Sequence, residues 1–165
     1  MEKLSWIKEL VLAEQQMEEA GVVDMEAGFD PNRQLEEATL DFIQDLKACF
    51  LEAAAAFNQF KGSTHGHLRI YGISKTKADF MLFRNGYKLI FSMRQAGLIA
   101  ISYSAAGSHY VPGTVQENDE SKPKDLLKAA WAAFGQLVWT YNGHPINMDY
   151  LVRYYMSRFI KDSAR

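Results

Sequence analysis

Apolar residues recur at two different spacings along this chain, and the switch between them divides it into helical flanks and a sheet-forming middle. Over residues 3–20, Leu4, Ile7 and Val11 share one helical face, widened by Trp6 and Leu10, while Glu9, Glu14, Glu18 and Glu19 lie largely elsewhere. Gly21 suits a C-terminal cap, and residues 22–30 show little periodicity. A second helix is predicted over 31–61. Asp30 is a good N-cap, Pro31 a good first helical residue, and Lys61-Gly62 a fitting end. Leu35, Phe42, Cys49 and Ala56 recur every seven residues, interleaved with Leu46, Ala53 and Phe60. Such a helix spans about 45 Å, more than a four-stranded sheet about 20 Å wide requires. The surplus stripe needs cover from the first helix or from a second subunit, and a homodimer is the expectation.

Between residues 67 and 105 the period falls to two. Asn85-Gly86, set between apolar runs, signals a two-residue hairpin, because both residues tolerate the positive φ of a type I′ turn. That register places Arg84 opposite Tyr87, Leu82 opposite Leu89 and Phe80 opposite Phe91, all on one face. Gln95-Ala96-Gly97, read as a three-residue loop with Gly97 left-handed, sets Met93 against Ile99, Phe91 against Ile101 and Leu89 against Tyr103. The two registers agree on a single apolar face. Residues 67–73 add a strand ahead of the polar Ser74-Lys75-Thr76-Lys77 turn, completing a four-stranded antiparallel meander. Its other face mixes Met81, Phe83 and Ile90 with Lys88, Arg94 and the small residues Ser92, Ala100, Ser102 and Ser104. Antiparallel sheets commonly leave one face wet. Lys88, Arg94, Phe83, Met81 and Ile90 are therefore the candidate contacts for a partner or an anion.

Residues 106–122 read as a loop ending in the acidic Glu117, Asp119 and Glu120. Over 123–138, Leu126, Leu127, Ala130, Trp131, Phe134, Leu137 and Val138 repeat at helical spacing. Gly135 weakens that helix, and a short strand over Leu137–Tyr141 is the alternative for its second half. Asn142-Gly143-His144-Pro145 breaks the pattern, and Asn147 can cap a last helix over 147–161 with Leu151, Tyr155 and Phe159 on one face. The expected fold is a two-layer α+β arrangement: helices 3–20, 31–61, 123–138 and 147–161 around a four-stranded meander at about 67–105. Residues 1–22 form an N-terminal helical arm, and 30–165 one α+β domain.

Composition supports a folded core, with 48% apolar and 13% aromatic residues. No apolar run approaches the ~20 residues of a membrane span, and the charged N-terminal stretch is unlike a secretory signal. The single Cys49 cannot form an internal disulfide and fits a small buried hydrophobe. A cytoplasmic location is expected. Charge changes the picture more. Residues 1–60 carry thirteen acidic and four basic side chains, whereas 61–94 carry seven basic ones against Asp79 alone. The basic strands can meet an anionic partner, or they can offset the acidic helix 31–61 within one molecule.

Motifs for chemistry are sparse. Gly62, Gly66, Gly72 and Gly86 sit in polar turns rather than in a phosphate-binding strand–helix junction. His65, His67, His109 and His144 lack ligating partners at metal-site spacing and read as loop histidines. Ser108-His109 is the one local Ser/His pair, without a strained nucleophile turn around it. Tyr150, Tyr154, Tyr155 and Phe159 read as core and flank of the last helix. No catalytic, cofactor-binding or metal-ligating residue is assigned. The leading expectation is a non-enzymatic cytoplasmic interaction or regulatory domain that binds a protein partner, itself included. The alternatives are an anionic-ligand module on strands 67–94 and an enzyme without a recognisable motif. The anionic ligand would be a phosphorylated molecule, a lipid headgroup or nucleic acid. A pI near 6.1 argues against a dedicated nucleic-acid binder.

Overall fold

The computed structural model describes residues 4–63, 65–104 and 125–164. The helices begin and end largely where the sequence places their caps. Helix α1 (Ser5–Ala20) closes on left-handed Gly21, whose N–H donates to Met17 O. Helix α2 (Pro31–Lys61) starts at Asp30, whose carboxylate accepts from the N–H groups of Asn32 and Arg33, and ends at left-handed Gly62. Helix α3 (Met148–Asp162) is capped by the Asn147 side chain, which accepts from Asp149 N and Tyr150 N. Each cap supplies partners to amides that the helix itself leaves open.

The strands are β1 (Arg69–Gly72), β2 (Phe80–Arg84), β3 (Tyr87–Gln95), β4 (Leu98–Ser104), β5 (Asp125–Trp131), β6 (Leu137–Tyr141) and β7 (His144–Pro145). They form one antiparallel sheet in sequential order, so every strand neighbours the one before it. The expected registers hold: Phe80 pairs with Phe91, Leu82 with Leu89, Met93 with Ile99 and Leu89 with Tyr103. Asn85 and Gly86 both have positive φ, as a type I′ turn demands, and Gly97 is left-handed beside a register shift between Met93 and Gln95. A Cβ at Gly97 would lie 3.1 Å from the Leu35 side chain. That turn therefore seats against the start of α2.

Three expectations need correction. The sheet has seven strands, not four. The helix expected over 123–138 is absent from its described part: 125–131 is strand β5, Ala133–Gly135 a single 3-10 turn, and 137–141 strand β6. Strand β4, carrying Ile99 and Ile101, has an open edge, and 125–131 satisfies its own backbone groups by pairing there. Leu126 and Leu127 fit either period, so the available edge decides between them. Phe134 and Gly135 both take positive φ and turn the chain back, with Ala132 N donating to Gln136 O at 2.7 Å. The third correction concerns the stripe of α2, in which Leu46 is buried as expected and Phe42, Cys49 and Ala53 pack at the margin of the core. Its buried residues are Thr39, Ile43, Leu46, Phe50 and Ala54, spaced at 3.6, whereas Ala56 is exposed and Phe60 is 87% exposed. A strict seven-residue ladder drifts around a straight helix by about 20° per repeat, which carries its far end into water. The expected loop over 106–122, with its acidic patch and the Ser108-His109 pair, lies outside the described residues.

Helices α2 and α3 cover the same sheet face. Phe50 of α2 lies against the stacked rings of Phe80 and Phe91, and Phe91 meets Tyr155 of α3 edge-on. Arg84, on this inner face, is only 5% exposed. Its guanidinium donates to the carbonyls of Gly66 and Ile160 and to Ser163 Oγ, and lies 5.1 Å from the Phe57 ring centroid. A cation is well placed there, where the end of α3 presents open carbonyls.

Candidate interaction face and tyrosine cavity

The pairing registers fix which side chains share the outward face, away from α2 and α3. Arg69, Tyr71, Met81, Phe83, Lys88, Ile90, Ser92, Ala100, Ser102, Leu126, Lys128 and Thr140 alternate onto it. The sequence candidates come together here: Met81 sits directly opposite Ile90, and Phe83 opposite Lys88. Tyr71 meets the Phe83 ring edge at 6.3 Å. Arg94 lies at the bulge that ends β3 and is exposed. Within the strands this face carries Arg69, Lys88 and Lys128 and no carboxylate, and Arg94 stands exposed at the bulge. The charge offset with the acidic helix is met at one described point on the other side, where Lys77 pairs with Glu36.

Helix α1 forms the second feature of interest. None of its residues is buried. It is held at one end, where Glu9 pairs with Arg33 at 2.6 Å and accepts from Gly28 N, while Leu10 lies against Gly28. Trp6, Ile7, Val11 and Met17 remain exposed. The sheet and α3 cover the buried face of α2 from Thr39 to Ala54, while the far end of the stripe at Ala56 and Phe60 stays exposed, and α1 buries no residue against it.

A third feature was not legible in the sequence. On the inner face, between α3 and strands β5–β7, lies a cavity of about 540 Å³. Tyr141, Tyr150, Tyr154 and Tyr155 line it, with Leu127 and Leu151 among its apolar walls. Asp125 sits at its edge, accepting from Tyr141 Oη at 2.8 Å and from Tyr155 Oη on its other oxygen. A smaller cavity of about 270 Å³ continues from it and shares Asp125, Tyr141, Tyr154 and Tyr155, adding Tyr103, Arg158 and Asp162. Burial, then the bond to Asp125 and its charge, push the Tyr155 hydroxyl far above the ordinary phenol range. The bond to Asp125 raises Tyr141 as well, and burial lifts Tyr103 to about 12. These phenols stay protonated donors. The aromatic residues of α3 were expected as core and flank. Tyr150 and Tyr154, at 70% and 53% exposure, are neither fully core nor idle surface. The available signal was their number on one helix; β5, which supplies Asp125, was read as a helix.

The remaining candidates do not converge. Cys49 is half-buried with its Sγ 3.7 Å from Met148 Sδ, and burial pushes its thiol upward. Among the described residues no three His, Cys, Asp or Glu side chains are grouped as metal ligands, and no helix is long and apolar enough to cross a membrane. In comparison with known proteins, no family model, curated protein or solved structure matches the chain.

Proposed function

We propose that this protein is a non-enzymatic interaction domain that associates with a second copy of itself, the apolar stripe of α1 from one copy lying on the outward sheet face of the other. Complementarity within a single chain carries this reading. The sheet face is cationic and apolar without a carboxylate, and α1 is acidic and apolar without a buried residue. Its sixteen residues span about 24 Å, close to the width of five paired strands. Met81, Phe83 and Ile90 would take the stripe of Ile7 and Val11, and Lys88 and Arg94 would meet Glu14 and Glu18. Reciprocal exchange closes such a contact into a dimer.

Light scattering at micromolar concentration tests it. The wild-type mass should be that of a dimer and fall toward a monomer with added salt. Lys88→Glu/Arg94→Glu, and separately Ile7→Glu/Val11→Glu, should give monomers that stay folded. A wild-type monomer at every concentration, or a dimer untouched by both pairs, defeats the proposal. The same cations support a second reading, an anionic ligand on the strands. Salt-sensitive retention of a monomeric wild type on heparin, lost in the Lys88/Arg94 variant, would favour it.

A further inference from the structure

We propose that the tyrosine cavity between α3 and strands β5–β7 binds a small organic ammonium ion carried on an apolar body. This goes beyond the self-association reading and uses the opposite side of the sheet. The cavity volume of about 540 Å³ falls within the range of small-molecule sites. Its lining selects the ligand's charge. Among the described residues around it, Asp125 is the one with a formal charge. Four tyrosine rings line the cavity with that carboxylate, and the face of an aromatic ring is the negative end of its quadrupole. An anion would be repelled by that carboxylate, whereas a cation would be drawn to it.

Asp125 is also preorganised. Its two oxygens accept from Tyr141 and Tyr155, which fixes the carboxylate and both rings before any ligand enters. A carboxylate has about four acceptor positions, so two phenol bonds leave capacity for an ammonium group. Tyr154 stands edge-on to Tyr155 with centroids 5.0 Å apart, giving two walls at right angles. Tyr150 already takes a cation on its ring: the Arg153 guanidinium lies 5.7 Å from the centroid, and Arg153 is not among the cavity's lining. Arg158, in the adjoining smaller cavity, is engaged by Tyr154 Oη at 3.0 Å and by Asp162 at 3.7 Å within its own helix. Leu127, Ile146 and Leu151 supply the apolar floor for the rest of the ligand.

Calorimetry with the full chain tests this, using benzyltrimethylammonium as the probe and 3-phenylpropionate as an anion of similar size. The cation should bind saturably and the anion should not. Asp125→Asn keeps an acceptor for one tyrosine, offers its NH2 to the hydroxyl oxygen of the other and removes the charge, and should weaken the cation at least about tenfold. Tyr150→Ala and Tyr154→Ala, at exposed positions that tolerate truncation, should each weaken it several-fold. Should Asp125→Asn fail to fold, the two tyrosine variants decide, and unchanged affinity in both overturns the proposal. Equal binding of cation and anion also overturns it, as does an absence of binding at millimolar probe. A trimethyllysine peptide that binds more tightly than the free probe would assign the site to a modified protein tail and overturn the small-molecule reading.

Discussion

Arg84 illustrates how far a single residue can be read from its neighbours. Strand parity places it on the inner face, but charged side chains are seldom buried without partners, and parity alone names none. The carbonyls that receive it belong to Gly66 and Ile160, the latter 76 residues away in sequence. No local pattern reveals such a partner. Arg84→Ala leaves those acceptors without a donor, and urea denaturation should show a loss of about 2–4 kcal/mol. Arg84→Lys should recover only part, since an ammonium cannot reproduce the planar fork that reaches several acceptors. The tyrosines give a second prediction. Tyr103, Tyr141 and Tyr155 have hydroxyls raised above the ordinary phenol value. Ionisation is disfavoured in the folded state, so their contribution is whole below about pH 10 and is lost as pH rises through the folded values. Absorbance titration of the eight tyrosines should therefore show a late group, with Tyr103 near 12, and the late step should coincide with unfolding. A single step near pH 10 with the fold intact would contradict this.

At the scale of elements, legibility followed the presence of a chemically specific signal. Asp30-Pro31, Asn147, Asn85-Gly86 and Gly97 each impose a local geometry, and the elements they bound appear where expected. Segment 125–131 has no such signal. Its leucines and alanines suit a helix, and only the open edge of β4 makes it a strand. The same absence hid the cavity, because Asp125 faces α3 only once β5 exists. Helix α2 shows a subtler failure: its boundaries and the buried Leu46 were legible, but a seven-residue count missed Ile43, Phe50 and Ala54 and ran on to the exposed Phe60. Phe50 and Phe60 separate the two phases. Phe50→Ala should cost about 3–5 kcal/mol, as for a filled core site. Phe60→Ala should stay within about 0.5 kcal/mol. Thermal or urea unfolding of the pair checks this, and equal losses would restore the seven-residue stripe.

For the molecule as a whole, the sorting of charge reflects position more than internal pairing: the acidic residues gather on α1 and α2, and three cations lie on the sheet face turned away from α2, with Arg94 at the bulge of β3. Removing residues 1–22 should leave the melting temperature nearly unchanged, because α1 buries no residue, while abolishing dimer formation in light scattering. A large drop in melting temperature would instead make α1 part of the folded unit. The sequential strand order has a consequence for how the chain assembles. A strand that always joins its predecessor pairs segments near each other in sequence, with the twenty residues between β4 and β5 the longest separation, which keeps contact order low across the ladder and favours rapid folding. During synthesis α2 is made before the sheet, so each new hairpin can dock on an existing platform. Helix α3 follows last among these elements, and the bonds joining Arg84 to Ile160 and Ser163 span 76 and 79 residues. The sheet can therefore grow strand by strand on the ribosome, but its inner face stays half-open until α3 arrives to fasten it.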